Sequence, residues 1–493
     1  MKKTGLLFFS IIIMNALNAN VTFVEKGYSY DDVLLVPQKS TVESRKDVNT
    51  KTKLSKNIWL NMPLVSSNMD TVTEAPMAIA MAQRGGIGII HRFNTIERQV
   101  SEVKRVKRYR NAVIQNPITI NQNATLGQAR ELMAEHDIKG LIVVDNHHKL
   151  VGIITSRDVR FRPEETRLVS EFMTPLESLI VGSPDISVAQ AKQLMIENRI
   201  EKLPLVNPDG SIAGLITSKD IYIKAEYPSA SVDAHGRLLV GAAIGVKDDS
   251  MERAAALVEA GVDVLVIDIA HGHSDLAIAM LKRVKAKFAH VDVIAGNVAT
   301  PQGTLALIEA GADAVKVGIG PGSICATRIV SGSGYPQLSA IINCARAADA
   351  YGVPVMADGG IKYSGDIAKA IAGGASTVML GSLLAGTDES PGIPFVKNGK
   401  KFKVIRGMAS FGANLGRTSD KKATEYVAEG VEALTPYKGS VAECVHQLIG
   451  GLYSGMSYCG AITIEQLRGN GIFVEITSSG IRESHPHDVQ QLN

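Results

Sequence analysis

The sequence predicts an α/β protein, a (β/α)8 TIM barrel with a tandem module inserted into it. Three observations predict it. Short apolar runs recur eight times along the chain, at 64–67, 87–90, 238–240, 264–267, 291–294, 314–317, 353–356 and 377–380. Several intervening helical patterns stop the same way, on Leu257–Gly261, Leu307–Gly311 and Ala370–Gly374. Glycine can end a helix there in a left-handed conformation, just before the next buried strand. Finally, a self-similar pair of segments fills the gap after the second strand. Strand–helix units that close at eight argue for a barrel over an open doubly wound sheet, with the site at the strand C-terminal ends.

The second and third strands stand about 150 residues apart, too many for one connection. Within that gap Val151–Asp158 (VGIITSRD) recurs as Ala213–Asp220 (AGLITSKD). Upstream, Ala129–Met133 with Leu141–Val144 parallels Ala191–Met195 with Leu203–Val206. Each half reads as helix, strand, turn, strand, helix. The expected division is an N-terminal extension (1–22), the first part of the barrel (23–112), two repeats (113–172 and 173–225) and the second part of the barrel (226–493). The halves resemble paired cystathionine-β-synthase-type (CBS) modules. That resemblance implies regulatory adenine or guanine nucleotides, with Thr155, Asp158, Thr217 and Asp220 facing ribose or phosphate.

Composition narrows the class. In 493 residues, 52 Lys+Arg face 49 Asp+Glu, a formal +3, which gives no global case for nucleic acid. The basic run Lys104–Arg110 has Val103 and Val106 three apart, the pattern of a helix with a wet face. Four cysteines form no disulfide framework, as expected of a reducing compartment. Lys2-Lys3, the apolar run Leu6–Met14 and Ala16–Ala19 look like a secretion signal, but the run is too short to span a bilayer. The expectation is a cytoplasmic protein without a membrane segment, with translation starting at Met14 or with a disordered extension.

The chemistry concentrates in Gly318–Arg328 (GIGPGSICATR), directly after the strand 314–317. Its glycines let backbone amides approach a bound anion, and Cys325 stands at the rim with a thiol able to attack what the loop holds. A phosphorylated substrate and a covalent intermediate through sulfur follow. Cys344, Cys444 and Cys459 read as small buried hydrophobes.

With barrel, inserted pair and cysteine loop in place, the chain from about 28 to 489 resembles the inosine-5′-monophosphate (IMP) dehydrogenase / GMP reductase family. The motifs are Tyr30–Pro37, Ser66–Asp70, Gly318–Arg328, Ala357–Gly360, Arg406–Met408 and Glu483–Asp488. The resemblance implies Cys325 as nucleophile toward C2 of the hypoxanthine ring, with Thr327 and Glu429 as a proton relay. It also implies a mononucleotide pocket of Ser67, Met69, Ser323, Asp358, Gly359, Gly360, Gly381, Ser382, Arg406, Gly407, Met408 and Glu429. NAD would meet Asp268, Gly318, Ile319 and Gly320. Potassium (K+) would sit on Gly320, Gly322 and Cys325, completed by Glu483, Ser484 and His485 across subunits of a homotetramer or octamer.

One segment departs from that pattern. Family dehydrogenases carry an Arg-Tyr pair on a mobile flap, the arginine acting as base toward water. Here the flap, about 405–430, has Arg417-Thr-Ser-Asp420 and no Arg-Tyr, and Ile405 and Ala409 depart from the usual flanks. A short flap ending Thr424–Gly430 looks more like GMP reductase, which releases ammonia and needs no hydrolytic water. The inserted pair and the Glu483–His485 tail favour NAD-dependent oxidation of IMP to xanthosine monophosphate, so dehydrogenase is the expectation and reductase the alternative.

Overall fold

The computed structural model describes residues 26–109, 114, 117–136, 138–163, 165–218, 221, 226–247, 249–415 and 427–489. The signal-like N-terminus, Asp220 and Arg417 lie outside the described residues.

Eight parallel strands close into a barrel. They are β1 (Leu64–Ser66), β2 (Ile87–Ile90), β3 (Gly241–Ile244), β4 (Val264–Asp268), β5 (Asp292–Val298), β6 (Ala314–Val317), β7 (Val355–Asp358) and β8 (Thr377–Leu380). β8 pairs back onto β1 through Val378–Leu64, Met379–Val65 and Leu380–Ser66. Gly261, Gly311 and Gly374 adopt φ of 85°, 101° and 110°, ending the preceding helices as their pattern implies.

One strand differs from expectation. The third strand is Gly241–Ile244, not Leu238–Val240. Gly-Ala-Ala has weak strand character, so the apolar triplet before it gave the stronger signal. Small residues are required because a Cβ on Gly241 would lie 2.4 Å from Ile89 Cδ1 and 2.9 Å from Val264 Cγ1. Leu238–Val240 are buried just below, where the Val240 amide donates to Asp263.

The apolar interior of the barrel takes a side chain from each of the eight strands: Val65, Ile89, Ala243, Val266, Ile294, Ala314, Met356 and Met379. Side chains alternate along a strand, so the residue two positions on also faces inward, one layer nearer the C-terminal mouth. Those residues are Ser67, His91, Gly245, Asp268, Gly296, Lys316, Asp358 and Gly381. The polar site is therefore the layer that follows the last apolar one.

Between β2 and β3 the described residues form two small sheets. Gly140–Val144 pairs with Leu150–Thr155 from Gly140 opposite Thr155, and Lys202–Val206 pairs with Ile212–Thr217 from Lys202 opposite Thr217. Both ladders shift register at the same place, Val143/Val144 and Leu205/Val206. The preceding helices, Leu126–Glu135 and Val188–Glu197, open on matching caps from Thr125 and Ser187. The sequence repeat is thus a repeat of backbone pairing, and Leu150 reaches Gly210 across the two halves.

Candidate active site

Cys325 follows a turn in which its own amide donates to Gly322 O at 3.1 Å. Its Sγ lies 3.2 Å from Thr327 Oγ1, at the start of the short helix Thr327–Ser331. The loop is stitched to the C-terminal stem of the segment identified as the flap, and that stem to the N-terminal one. Ala326 N donates to Glu429 O at 2.7 Å, Val431 N to Ile324 O at 3.0 Å and Gly407 N to Val431 O at 3.0 Å. A Cβ on Gly407 would meet Ile324 O at 3.2 Å, which is why glycine stands there. Backbone contact thus brings Cys325, Thr327, Gly407 and Glu429 together, with Met408 half-buried beside them.

The mouth of the barrel gathers the mononucleotide candidates. A Cβ on Gly381 would lie 3.1 Å from Met69 Sδ and 3.4 Å from Ser67 Oγ. Ser67 is buried and its Oγ has no hydrogen-bond partner among the described residues, so a bound group could satisfy it. Gly359 and Gly360 take φ of 90° and 83°, which lets the turn after β7 pass within van der Waals reach of Pro321. Ser323 stands exposed at the rim. Ser382 and Leu383 carbonyls both accept from Lys438 Nζ.

Below the loop lies a charged cluster. Lys316, 2% exposed, donates from Nζ to Asp358 Oδ2 at 2.7 Å, to Asp268 Oδ1 at 3.1 Å and to Asn297 Oδ1. Asn297 Nδ2 donates to Asp358 Oδ2 at 2.9 Å and to Gly318 O at 2.8 Å. Burial alone would raise the Asp268 carboxyl, but the Lys316 and Arg92 charges outweigh it and hold it below the usual range. Gly318, Ile319 and Gly320 continue from this cluster. Gly318 and Gly320 have φ of 149° and 79°, and Arg328 Nε donates back to Ile319 O at 3.3 Å.

Two groups of expected residues make contacts apart from the cysteine loop. Arg406 is turned to Asp70, its Nε donating at 2.7 Å to Oδ2 and a terminal nitrogen to the same oxygen, so it braces the flap stem against the loop after β1. Glu483, Ser484 and His485 are exposed at the end of helix Ser478–Glu483; the His485 ring stands 5.9 Å from that of Tyr363. Ser484 Oγ donates to Gly480 O at 2.7 Å. Among the described residues no cluster of three or more His, Cys, Asp or Glu could hold a metal. In the inserted pair, Asp158 Oδ2 accepts from both the amide and hydroxyl of Thr155, at 2.7 and 2.6 Å, capping the helix that follows. Thr217 occupies the equivalent strand end opposite Lys202.

Sequence reasoning passed over Lys316, Asn297, Gln337 and Asp70. A signal existed for Lys316: a lysine inside a fully buried strand requires a carboxylate partner.

Comparisons with known proteins agree with this architecture. The family described as "IMP dehydrogenase / GMP reductase domain" matches residues 27–487. The IMP dehydrogenase of Nitrosopumilus maritimus is 51% identical, the match covering 94% of this chain and 99% of that protein. The GMP reductase of Leishmania major is 49% identical over 97% of this chain and 100% of its own length. A cysteine-to-alanine variant of Trypanosoma brucei GMP reductase in complex with guanosine 5′-monophosphate superposes with TM-score 0.89 at 50% identity, covering 95% of this chain and 99% of that one.

Proposed function

Because the chain belongs to the IMP dehydrogenase / GMP reductase family, we propose that it moves hydride at C2 of a purine 5′-mononucleotide through a thioimidate on Cys325, and that it runs in the reductive direction. The overall reaction is GMP with NADPH and two protons to IMP, ammonium and NADP+. The covalent reading is carried by one observation: Cys325 Sγ, 3.2 Å from Thr327 Oγ1, sits on a loop fixed by backbone bonds to the C-terminal flap stem at Glu429 and Val431. The thiolate adds to C2, and the amino group leaves as ammonia with a proton passed by Thr327 and Glu429. The reduced nicotinamide supplies hydride to C2, after which the C–S electron pair returns to sulfur. No water enters, so no base for water is required.

The direction rests on residues 405–430, which lack an Arg-Tyr pair. The inserted pair and the C-terminal tail do not separate the two activities, since the Leishmania major reductase aligns with 97% of this chain, end to end along its own length. The second reading, NAD-dependent oxidation of IMP, is favoured by relatives named IMP dehydrogenase in Nitrosopumilus maritimus and Aquifex aeolicus, at 51% and 53% identity. The test gives purified protein GMP with NADPH, then IMP with NAD and potassium. NADPH consumption with matching ammonia release is expected. NADH formation from IMP instead would reverse the assigned direction, and silence in both would remove the enzyme reading.

In this proposal Ser323, Gly360, Gly381 and Ser382 hold the phosphate, Asp358 takes the ribose hydroxyls, and Ser67 and Met69 line the base pocket. Asp268 and Gly318–Gly320 face the dinucleotide. Potassium on the carbonyls of Gly320, Gly322 and Cys325 would take Glu483, Ser484 and His485 from a neighbouring subunit of a tetramer or octamer. Residues 113–172 and 173–225 would act as paired CBS modules for adenine or guanine nucleotides. A cytoplasmic location fits soluble substrates; among the described residues no helix is long and apolar enough to cross a membrane.

A further inference from the structure

We propose that Lys316 is a positioning residue that aligns the carboxylates of Asp358 and Asp268 by sharing one ammonium between them; this rests on the assignment of those carboxylates to mononucleotide and dinucleotide. The geometry supports it in three ways. Lys316 occupies the inward layer just above the apolar interior, where its side chain is 3% exposed while Asp268 and Asp358 retain 18% and 22% exposure toward the mouth. Its Nζ spans the ends of β4 and β7, at 3.1 Å from Asp268 Oδ1 and 2.7 Å from Asp358 Oδ2. Among the described residues, both donors to the Asp358 carboxylate, Lys316 and Asn297, use Oδ2 alone. Oδ1 is thereby oriented yet left with acceptor capacity for a ligand hydroxyl.

The charge balance explains why a lysine is needed. Asp268 has a second cation nearby in Arg92, while the ion pair of Asp358 among the described residues is with Lys316. Removing the ammonium would leave Asp358 uncompensated beside a like charge. Burial alone would make Lys316 easier to deprotonate; Asp358 and Asp268 reverse that and hold it above the ordinary lysine range. No hydrogen bond from Lys316 reaches the cysteine loop directly, although Asn297 links the cluster to Gly318 O at 2.8 Å. The role is therefore one of aiming groups that touch ligands.

The test uses the full-length protein in four forms: wild type, Lys316→Met, Lys316→Met with Asp268→Asn, and Lys316→Arg. GMP and IMP affinities are measured by titration calorimetry and stability by thermal melting without ligand. Lys316→Met is expected to weaken mononucleotide binding at least about tenfold, the scale of a hydrogen bond to a charged group. Adding Asp268→Asn removes the like charge and should recover at least about threefold, although Asp268 is assigned to the other ligand. Lys316→Arg should stay within about threefold of wild type, because it keeps the cation.

Wild-type affinity in Lys316→Met, or no recovery in the double variant, overturns the proposal. Should Lys316→Met fail to fold, the double variant is expected to fold and bind; its failure would assign Lys316 to packing and overturn the proposal as well. Wild type that binds neither GMP nor IMP would sink the underlying functional reading. The melting order, wild type above double variant above Lys316→Met, would still decide whether the ammonium is shared.

Discussion

Replacing Gly318 by alanine should injure stability and turnover together, through a contact fixed by the backbone. Gly318 leaves β6 with φ of 149°, and a Cβ there would lie 2.2 Å from Asp358 O and 3.1 Å from Gln337 Nε2. The carbonyl would have to retreat by about 1 Å to reach an ordinary contact in a packed interior. Gln337, 2% exposed, holds that carbonyl at 3.1 Å and Val317 O at 2.9 Å, so retreat also loosens a buried hydrogen bond of about 1 kcal/mol. Backbone strain at a positive φ adds about 1–3 kcal/mol. Together these give about 2–4 kcal/mol, or a fall in melting temperature of roughly 2–4 °C for a chain of this length.

The chemical cost comes from the same movement. Asp358 would shift relative to the cysteine loop, and a misplacement of about 1 Å can cost roughly 100-fold in rate. Differential scanning calorimetry and steady-state kinetics with GMP and NADPH, or with IMP and NAD, provide the two readings. A variant that melts within about 1 °C of wild type and keeps kcat/KM within about threefold would refute the argument that β6 and β7 touch here as described.

Four further outcomes follow from particular residues. Burial pushes the Cys344 thiol up to about 11, so iodoacetamide at pH 8 should label half-buried Cys325 well before Cys344, and peptide mapping would show the order. Cys325→Ala should lower turnover at least about 1000-fold while leaving mononucleotide affinity within about tenfold, as for other covalent nucleophiles. In the helix Val441–Tyr458, Gly450→Ala meets nothing within 4 Å and should stabilise by about 0.5–1 kcal/mol, whereas Gly451→Ala would place Cβ 2.1 Å from Ser364 Oγ and 2.2 Å from its Cβ and should cost about 1–3 kcal/mol. Thermal melts that rank the pair the other way would contradict that packing. Asp268 titrates lower in the folded chain than its ordinary 3.8, so its stabilisation is complete above that value and is lost as pH falls through the lower folded one. Acid unfolding should steepen only below about pH 4, and Asp268→Asn should flatten that limb.

The barrel was legible because its strands announce themselves twice, by apolar runs and by the glycines that stop the helices before them. Where a strand had to be built from small residues, as at Gly241–Ile244, composition pointed to the bulkier Leu238–Val240 instead, because close packing against Ile89 and Val264 cannot be read from one strand alone. Cys325 and its glycines were visible as a local string. Lys316 was not recognised as part of the site, because its partners Asp268 and Asp358 lie 48 and 42 residues away in sequence and meet it only when the strands align. Arg406 illustrates the converse: a motif residue whose guanidinium is directed by Asp70, a partner that local pattern could not supply.

The bonds from Ile324 and Ala326 to Val431 and Glu429 mean that the thiol is aimed by chain more than a hundred positions downstream. Gly407 and Val431 clasp each other independently of whatever joins them. Length and composition between Ala409 and Glu429 can therefore drift in evolution without disturbing the sulfur. Under the proposed function, a single scaffold could deliver hydride to C2 or remove it from there by rewriting only that span.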